Sequence, residues 1–405
     1  MSSDSASFNP LKALNISILQ GAFFPVPPVR GGAVEKLWYG LALEFSRQGH
    51  NVTQVSRAVP ELPESSVEHG VRHLRVRGYD QPSSTLRLKF RDLLYTRRAL
   101  RILPPADVVV TNTFWAPFLA KPKHGAIYVS VERMPKGQMK YYRRAARLRA
   151  CSQAVAEGII QEAPDANARV KVVPNPLPFM PAQEVDWTVK GDEVVYVGRI
   201  HPAKGVEMLL RAFVRAKKNG WIGANWRLTF VGPSDEAKGG GGTDWWRRVM
   251  EANADEQVRW VGPIYDEKKL NEFYRRSRII AYPTLDEKGE AMPIAPLEGM
   301  AWGCVPIVSA LACFRDYVIP GENGVVFDHR VEDPVDTLGR AFAIASRGEG
   351  YSMARRATAV RETHGLASIA AQFVDDFRTL INHLPTVSRD VQNENCHERD
   401  APPSR

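Results

Sequence analysis

Two carboxylates and two cations carry the chemical signal of this 405-residue chain. Glu290 and Glu298 lie eight residues apart in the run KGEAMPIAPLEGMAWGCVPIV, positions 288–308. That spacing arises by chance in a chain with many glutamates, so its context has to carry the argument. A strand-like run, 278–282, precedes the pair. A small-residue helix with Glu298 in its first turn follows, and 304–309 then reads as the next parallel strand. Such an order puts carboxylates and free backbone N–H groups at the C-terminal edge of a parallel sheet, where open α/β folds bind ligands. The cations, Arg199 and Lys204, occur in EVVYVGRIHPAKGVEMLLRAF, positions 193–213. They share one strand-to-helix loop. A guanidinium fork and an ammonium point charge beside a helix N-terminus suit a diphosphate. Two solvated loop cations are the plainer alternative.

The elements that must position these groups alternate along the chain. Strands are expected at 16–20, 52–56, 71–76, 107–111, 126–131 and 170–173, with helices at about 33–48, 86–102, 137–147 and 152–162. A linker, about 174–191, holds four prolines and few periodic apolar residues. The alternation then restarts, with strands at 193–197, 226–231, 257–261, 278–282, 304–308 and 324–327. Helices intervene at about 204–218, 243–254, 266–276, 293–302 and 332–347, and two more follow at 350–362 and 366–384. The pattern predicts two Rossmann-like, doubly wound parallel-sheet domains facing across a cleft. Residues 13–176 form the first and 192–365 the second, and the ends, 1–12 and 385–405, read as disordered. Gly239 to Gly242 form a glycine run. It reads as a mobile surface loop or, alternatively, as a phosphate cradle, although no P-loop Lys-Ser/Thr follows it.

Composition narrows the class. Hydrophobic residues make up 44% of the chain, enough for two cores, and no apolar run approaches the roughly 20 residues of a membrane span. Residues 1–13 lack the pattern of a secretory signal. Cys151, Cys304, Cys313 and Cys396 show no metal spacing, which suits a reduced cytoplasmic setting. Net charge is +11 over residues 1–184 and −2 over the remainder. The basic half suggests an anionic acceptor, an anionic membrane surface or nucleic acid, and no nucleic-acid motif is present. Lysines and arginines interleave with Tyr141, Tyr142 and Leu148 in 135–149. That run reads as a solvated helix face, an interfacial helix on anionic lipid, or an acceptor site.

The G-R-x-x-x-x-K-G segment (Gly198, Arg199, Lys204, Gly205), the Glu290–Glu298 pair about a hundred residues later, VVPNP at 172–176, PGENGVVFD at 320–328 and the Gly31-Gly32 loop after a first strand resemble the retaining glycosyltransferases of family four, with the GT-B fold. The resemblance spans about 15–328. It implies transfer of a sugar from a nucleotide-diphosphate donor to a glycan or glycolipid acceptor, with retained anomeric configuration. It also implies that the last helix crosses back to the first domain. Arg199, Lys204, Gly31, Gly32 and the amides near Met292 and Ile294 would meet the diphosphate, Glu298 the ribose, and Glu290 the donor sugar. Acceptor-side candidates are Arg30 and Trp115, the latter equally suited to covering the first-domain core. The family usually has E-G-F-G where this chain has Glu290-Ala291-Met292-Pro293, and Pro293 has no N–H to offer a phosphate. It usually has a His where this chain has Glu132. That carboxylate either orients donor or acceptor, or pairs with Arg133 or a later Arg. No D-x-D occurs, so side chains and helix ends are expected to neutralise the diphosphate without a metal or cofactor. A catalytically silent nucleotide-sugar or glycan binder is the alternative.

Overall fold

The computed structural model describes residues 12–383 apart from 83, 180, 182 and 288. Residues 1–11 and 384–405, which hold nearly all of the two expected disordered ends, lie outside the described residues, as does Cys396. Two sheets organise the chain. The first contains β1 (Asn15–Leu19), β2 (Asn51–Ala58), β3 (Ser65–Glu68), β4 (Val71–Arg77), β5 (Val108–Thr111), β6 (Ala126–Val131), β7 (Arg147–Ala150) and β8 (Val170–Val172). Their order is β3-β4-β2-β1-β5-β6-β7-β8, parallel except for the antiparallel β3–β4 edge. Helices α1 (Ala33–Arg47), α2 (Thr85–Ile102), the single turn α3 (Ala116–Leu119) and α4 (Gln153–Glu162) connect them. β5 and β6 are buried along their whole length, as strands covered on both faces must be. Ile16 and Ile18 face Trp38 and Phe45 of α1, while Leu19 and Val109 face Tyr95 and Ala99 of α2.

The second sheet is wholly parallel. It contains β9 (Gly191–Val197), β10 (Arg227–Val231), β11 (Val258–Trp260), β12 (Ser277–Tyr282), β13 (Val305–Ser309) and β14 (Val325–Phe327), in the order β11-β10-β9-β12-β13-β14. Its helices are α5 (Val206–Lys218), α6 (Thr243–Ala252), α7 (Glu267–Arg276), α8 (Ile294–Ala301), α9 (Pro334–Ser346) and α10 (Gly348–Ala357), followed by the turn α11 (Val360–Thr363). α12 (Leu366–His383) lies on the first domain. Phe373 meets Trp38 edge-on at 5.2 Å and Phe377 meets Tyr128 at 4.9 Å. Buried Asp376 accepts from the Tyr128 hydroxyl at 2.9 Å and pairs with Arg147 at 2.8 Å.

Three expectations are corrected. Residues 137–147 are not a helix. A 3-10 turn, Met139–Tyr141, is followed by loop and then by β7. Pro135 and Gly137 open this stretch, and the Glu162 carboxylate holds it by accepting from the Gly137 N–H at 2.7 Å and from the Met139 N–H. Lys136, Lys140 and Arg143 stay exposed, while three other cations are tied to the fold. Arg144 donates to the carbonyls of Phe118 and Ala120, Arg147 pairs with Asp376, and Arg149 is fully buried. The run is therefore not an interfacial helix. Second, β3 is an added edge strand, returned by a His69-Gly70 turn in which both residues have positive φ. Its four polar-rich residues carry too little periodicity to be seen in sequence. Third, the helix expected at 350–362 is broken into α10 and α11.

Candidate active site

The second domain supplies one wall of the site. β9 delivers the chain into a 3-10 turn, Pro202–Lys204, capped by the His201 ring, whose Nδ1 accepts from the Ala203 N–H at 3.1 Å. Gly205 follows with φ +67°, and a Cβ there would stand 2.1 Å from the Pro283 carbonyl, so only glycine fits. This tight corner turns Lys204 inward. Its Nζ donates to Glu290 Oε1 at 2.5 Å and lies 4.0 Å from Asp286 Oδ2. The Tyr282 hydroxyl donates to the same Glu290 oxygen at 3.1 Å. Lys204 and Glu290 are 4% and 9% exposed, so this is a buried ion pair. Arg199 is exposed at the rim, its Nη1 donating to the Gly239 carbonyl at 3.2 Å.

The glycine run is folded into this corner. The N–H groups of Gly239, Gly240, Gly241 and Gly242 donate to the carbonyls of Glu236, Asp235, Ile200 and Ser234. None of the four amides is left for a phosphate, which removes the cradle reading, and the loop is tied down at both ends.

Glu298 sits one turn into α8. The Tyr274 hydroxyl from α7 donates to Oε2 at 2.6 Å and fixes the carboxyl plane, leaving Oε1 for a ligand. Burial pushes its pKa up to about 7, although the Tyr274 hydrogen bond and the Lys36 ammonium pull the other way. Lys36 comes from α1 of the first domain and pairs with Glu267 at the start of α7, 3.2 Å away across the cleft. The amides of Met292 and Ile294 have no backbone or side-chain acceptor among the described residues. Pro293 caps α8 from outside, one position before the first helical residue, and its carbonyl accepts from Tyr317 at 2.7 Å.

The opposite wall comes from the first domain. Gly31 and Gly32 have φ of 81° and 101°. A Cβ on Gly32 would lie 2.3 Å from Glu35 Oε2, so its absence lets that carboxyl fold over the start of its own helix. Burial raises the Glu35 pKa, opposed by a backbone amide and by Arg133. Glu132 ends β6. Its Oε1 accepts from Ser130 Oγ and from Arg149 Nη1, both at 2.6 Å, and its buried Oε2 has no partner. Arg149 also donates to Val173 O at 2.6 Å and Asn175 Oδ1 at 2.7 Å. Asn175 N–H reaches Met292 Sδ at 3.3 Å, and Ser152 Oγ donates to Ala291 O at 2.6 Å. These contacts seat the 290–292 loop directly on the first domain. The partner of Glu132 is thus Arg149 and not Arg133.

The two acceptor-side candidates have partners within the first domain. Arg30 forks onto Glu61 at 2.7 and 2.8 Å. Trp115 donates its indole N–H to Lys89 O at 2.7 Å and joins an aromatic cluster with Phe114 and Phe118. Sequence reasoning missed Glu35, Lys36, Arg149, Tyr274 and Tyr282. Arg149 had one available signal, an arginine alternating with Leu148 at an apolar strand position.

The two domains thus bring buried carboxylates, a buried lysine and free helix-start amides to one cleft. Residues 31–178 match the model of Glycosyltransferase Family 4, and residues 182–344 match that of Glycosyl transferases group 1. The chain is a glycosyltransferase of family four with the GT-B fold. A search of curated protein sequences returned no match. Among solved structures, it is similar to a sucrose-phosphate synthase from Thermosynechococcus elongatus, with a TM-score of 0.67 at 19% identity, covering 91% of this chain and 99% of that one. It is also similar to Anabaena HepE in complex with UDP, with a TM-score of 0.66 at 13% identity, covering 90% and 100%. The catalytic domain of starch synthase IV from Arabidopsis thaliana, bound to ADP and acarbose, gives a TM-score of 0.66 at 15% identity, covering 92% and 100%.

Proposed function

We propose that this glycosyltransferase moves a hexose from a nucleotide-diphosphate donor to a hydroxyl of a glycan or glycolipid, with retention at the anomeric carbon and without a metal. The observation that carries the reading is the Lys204–Glu290 pair, which joins the G-R-x-x-x-x-K-G loop to the first glutamate at the floor of the cleft. Two of the similar structures hold UDP and ADP, both nucleoside diphosphates. As the diphosphate departs, negative charge grows on its oxygens. Arg199 at the rim, Lys204 below it and the amides of Met292 and Ile294 meet that charge. Gly31 and Gly32 let the first-domain backbone approach the same oxygens. Glu298 accepts from the ribose hydroxyls. Glu290 accepts from donor-sugar hydroxyls, and the unpartnered Oε2 of Glu132 does so from the first domain. Because Arg149 and Ser130 hold Glu132 in place, Glu132 serves as a hydrogen-bond acceptor where the family has a His, orienting the sugar.

The test is donor turnover followed by proton NMR after exhaustive chelation. Release of nucleoside diphosphate should persist, and the product should keep the donor's anomeric configuration. An inverted product, or activity lost on chelation and restored by magnesium or manganese, would contradict the reading.

The acceptor is proposed to be presented at an anionic membrane face to which the protein attaches peripherally, from the cytoplasm. No helix among the described residues is long and apolar enough to cross a membrane. The support is the basic first domain and the start of α2, where Leu86 and Phe90 are 82% and 61% exposed beside Arg87 and Arg91. Apolar insertion plus basic flanks, each worth about 1 kcal/mol near the surface, suits such a face. Co-sedimentation with phosphatidylglycerol vesicles should fall in the Leu86→Ser/Phe90→Ser variant and at high salt. Unchanged sedimentation of that variant would remove the membrane from the account.

A further inference from the structure

A second basic surface in the first domain is concave and separate from the donor cleft. Between β4 and α2 runs a groove of about 730 Å³, within the roughly 300–1,000 Å³ of ligand sites. Its lining carries Arg57, Arg72, Arg75, Arg77, Arg98 and Arg101 against one carboxylate, the exposed Glu64. Several arginines elsewhere are neutralised directly: Arg30, Arg147, Arg149, Arg215, Arg278 and Arg330 all meet carboxylates. Among the described residues, five of the six groove arginines meet no carboxylate, and only Arg57, at the mouth, pairs with one, Asp80, at 2.6 Å. Like charges gathered in a concave site repel one another and raise the local potential, and a bound anion relieves that cost. One of them is held in place. Arg98 donates from Nη1 to Arg77 O at 3.2 Å and to the Tyr79 hydroxyl at 2.9 Å, and it stacks over the Tyr79 ring at 5.5 Å. The floor is apolar, formed by Leu74, Val76 and Ile102.

The position of the groove gives it a role. Its upper end lies where β2 and β4 finish, at the C-terminal edge of the first sheet. There Arg57 donates to the carbonyls of Phe23 and Tyr79 at 2.8 Å each, tying the groove mouth to the loop that follows β1. Gly78 lies against Ala22 O, where a Cβ would stand only 2.5 Å away. That loop leads into Gly31-Gly32, and in the proposed function it faces the acceptor. From it the groove descends along β4 to Arg72 and Arg101.

We infer that this groove binds an acidic stretch of the acceptor glycan, carrying carboxylates or phosphates, beyond the sugar that receives the transfer. The inference rests on the transferase reading. Guanidinium forks match carboxylate and phosphate oxygens, and an apolar floor matches the C–H face of a sugar ring. The enzyme would then select chains already bearing acidic substituents, so the reaction that adds those substituents must precede this one.

Calorimetric titration with hexagalacturonate, its fully methyl-esterified form and a short polyphosphate tests this on the full chain. Hexagalacturonate or polyphosphate should bind, and the ester should bind at least about tenfold more weakly. Arg72→Ser/Arg101→Ser should weaken the acidic probe by a similar factor and shallow its salt dependence. The melting midpoint and nucleoside-diphosphate binding should stay as in wild type. Equal binding of acid and ester, no binding of either anion, or an indifferent double variant overturns the groove. So does a double variant that loses only phosphatidylglycerol vesicles. Each of these results, with nucleotide binding intact, leaves the transferase reading standing. Loss of nucleotide binding in wild type would instead strike that reading.

Discussion

Lys204→Ala is expected to lower both stability and turnover, and the two losses can be separated. The ammonium is buried on Glu290 at 2.5 Å, so its removal strands a carboxylate in a dry site. Breaking one side of such a pair costs about 3–5 kcal/mol. The urea midpoint should therefore drop with little change in slope. In the proposed transfer the cation also meets the departing diphosphate, and losing one preorganised donor lowers kcat by about 100-fold or more. Lys204→Met combined with Glu290→Gln removes both charges. That double variant should recover most of the stability and none of the turnover, because the stranded charge is gone while the donor contacts are still missing. Recovery of turnover along with stability would mean that the pair only holds the loops in shape.

Glu298→Gln is expected to flatten the pH dependence of donor binding. Burial holds the Glu298 carboxyl at about 7, against an ordinary value of 4.5. In the free protein it is therefore protonated below about pH 7, and the form that accepts from ribose hydroxyls appears above it. A nucleotide-diphosphate sugar has no phosphate titrating in this range, so its affinity should rise from pH 5.5 toward 7, by up to about tenfold per pH unit, and then level off. For stability the sign is opposite. Between 4.5 and about 7 the folded protein holds more protons than the unfolded chain, so the contribution of this group is present at low pH and lost as pH rises through 7. In Glu298→Gln both trends should vanish, with donor binding weakened by about 1.5–3 kcal/mol at pH 8. A donor lacking the ribose hydroxyls should erase the difference between variant and wild type. A wild-type affinity that is flat from pH 5.5 to 8 would remove Glu298 from the ribose.

The alternation of strands and helices was readable because both sheets are parallel and covered. Such strands are short continuous apolar runs such as VVVT at β5, and the helices between them carry one apolar stripe. The failure at 137–147 has a physical cause. Arginines at 144, 147 and 149 look like the polar face of a helix, but here their charge is absorbed by carbonyls, Asp376 and Glu132, contacts that exist only after folding. The two cations and two glutamates of the site were visible from their loops. Their pairing was not, because Lys204 and Glu290 are 86 positions apart and meet only when β9 and β12 lie side by side. Tyr274 and Tyr282 escaped for the same reason. A tyrosine at an apolar position reads as core, and only the tertiary fold aims its hydroxyl at a carboxylate.

The proposed transfer requires that this cleft grip a nucleoside diphosphate through Arg199 and Lys204. Isothermal titration of wild type and Arg199→Ala with a nucleoside diphosphate and with the matching nucleoside tests it most directly. Arg199 is exposed and makes no buried contact, so its loss should leave the fold unchanged. One molecule of diphosphate should bind wild type, and Arg199→Ala should weaken it by about 1.5–3 kcal/mol while nucleoside binding barely changes. Absence of any nucleoside-diphosphate binding, or equal losses for nucleotide and nucleoside, would contradict the account.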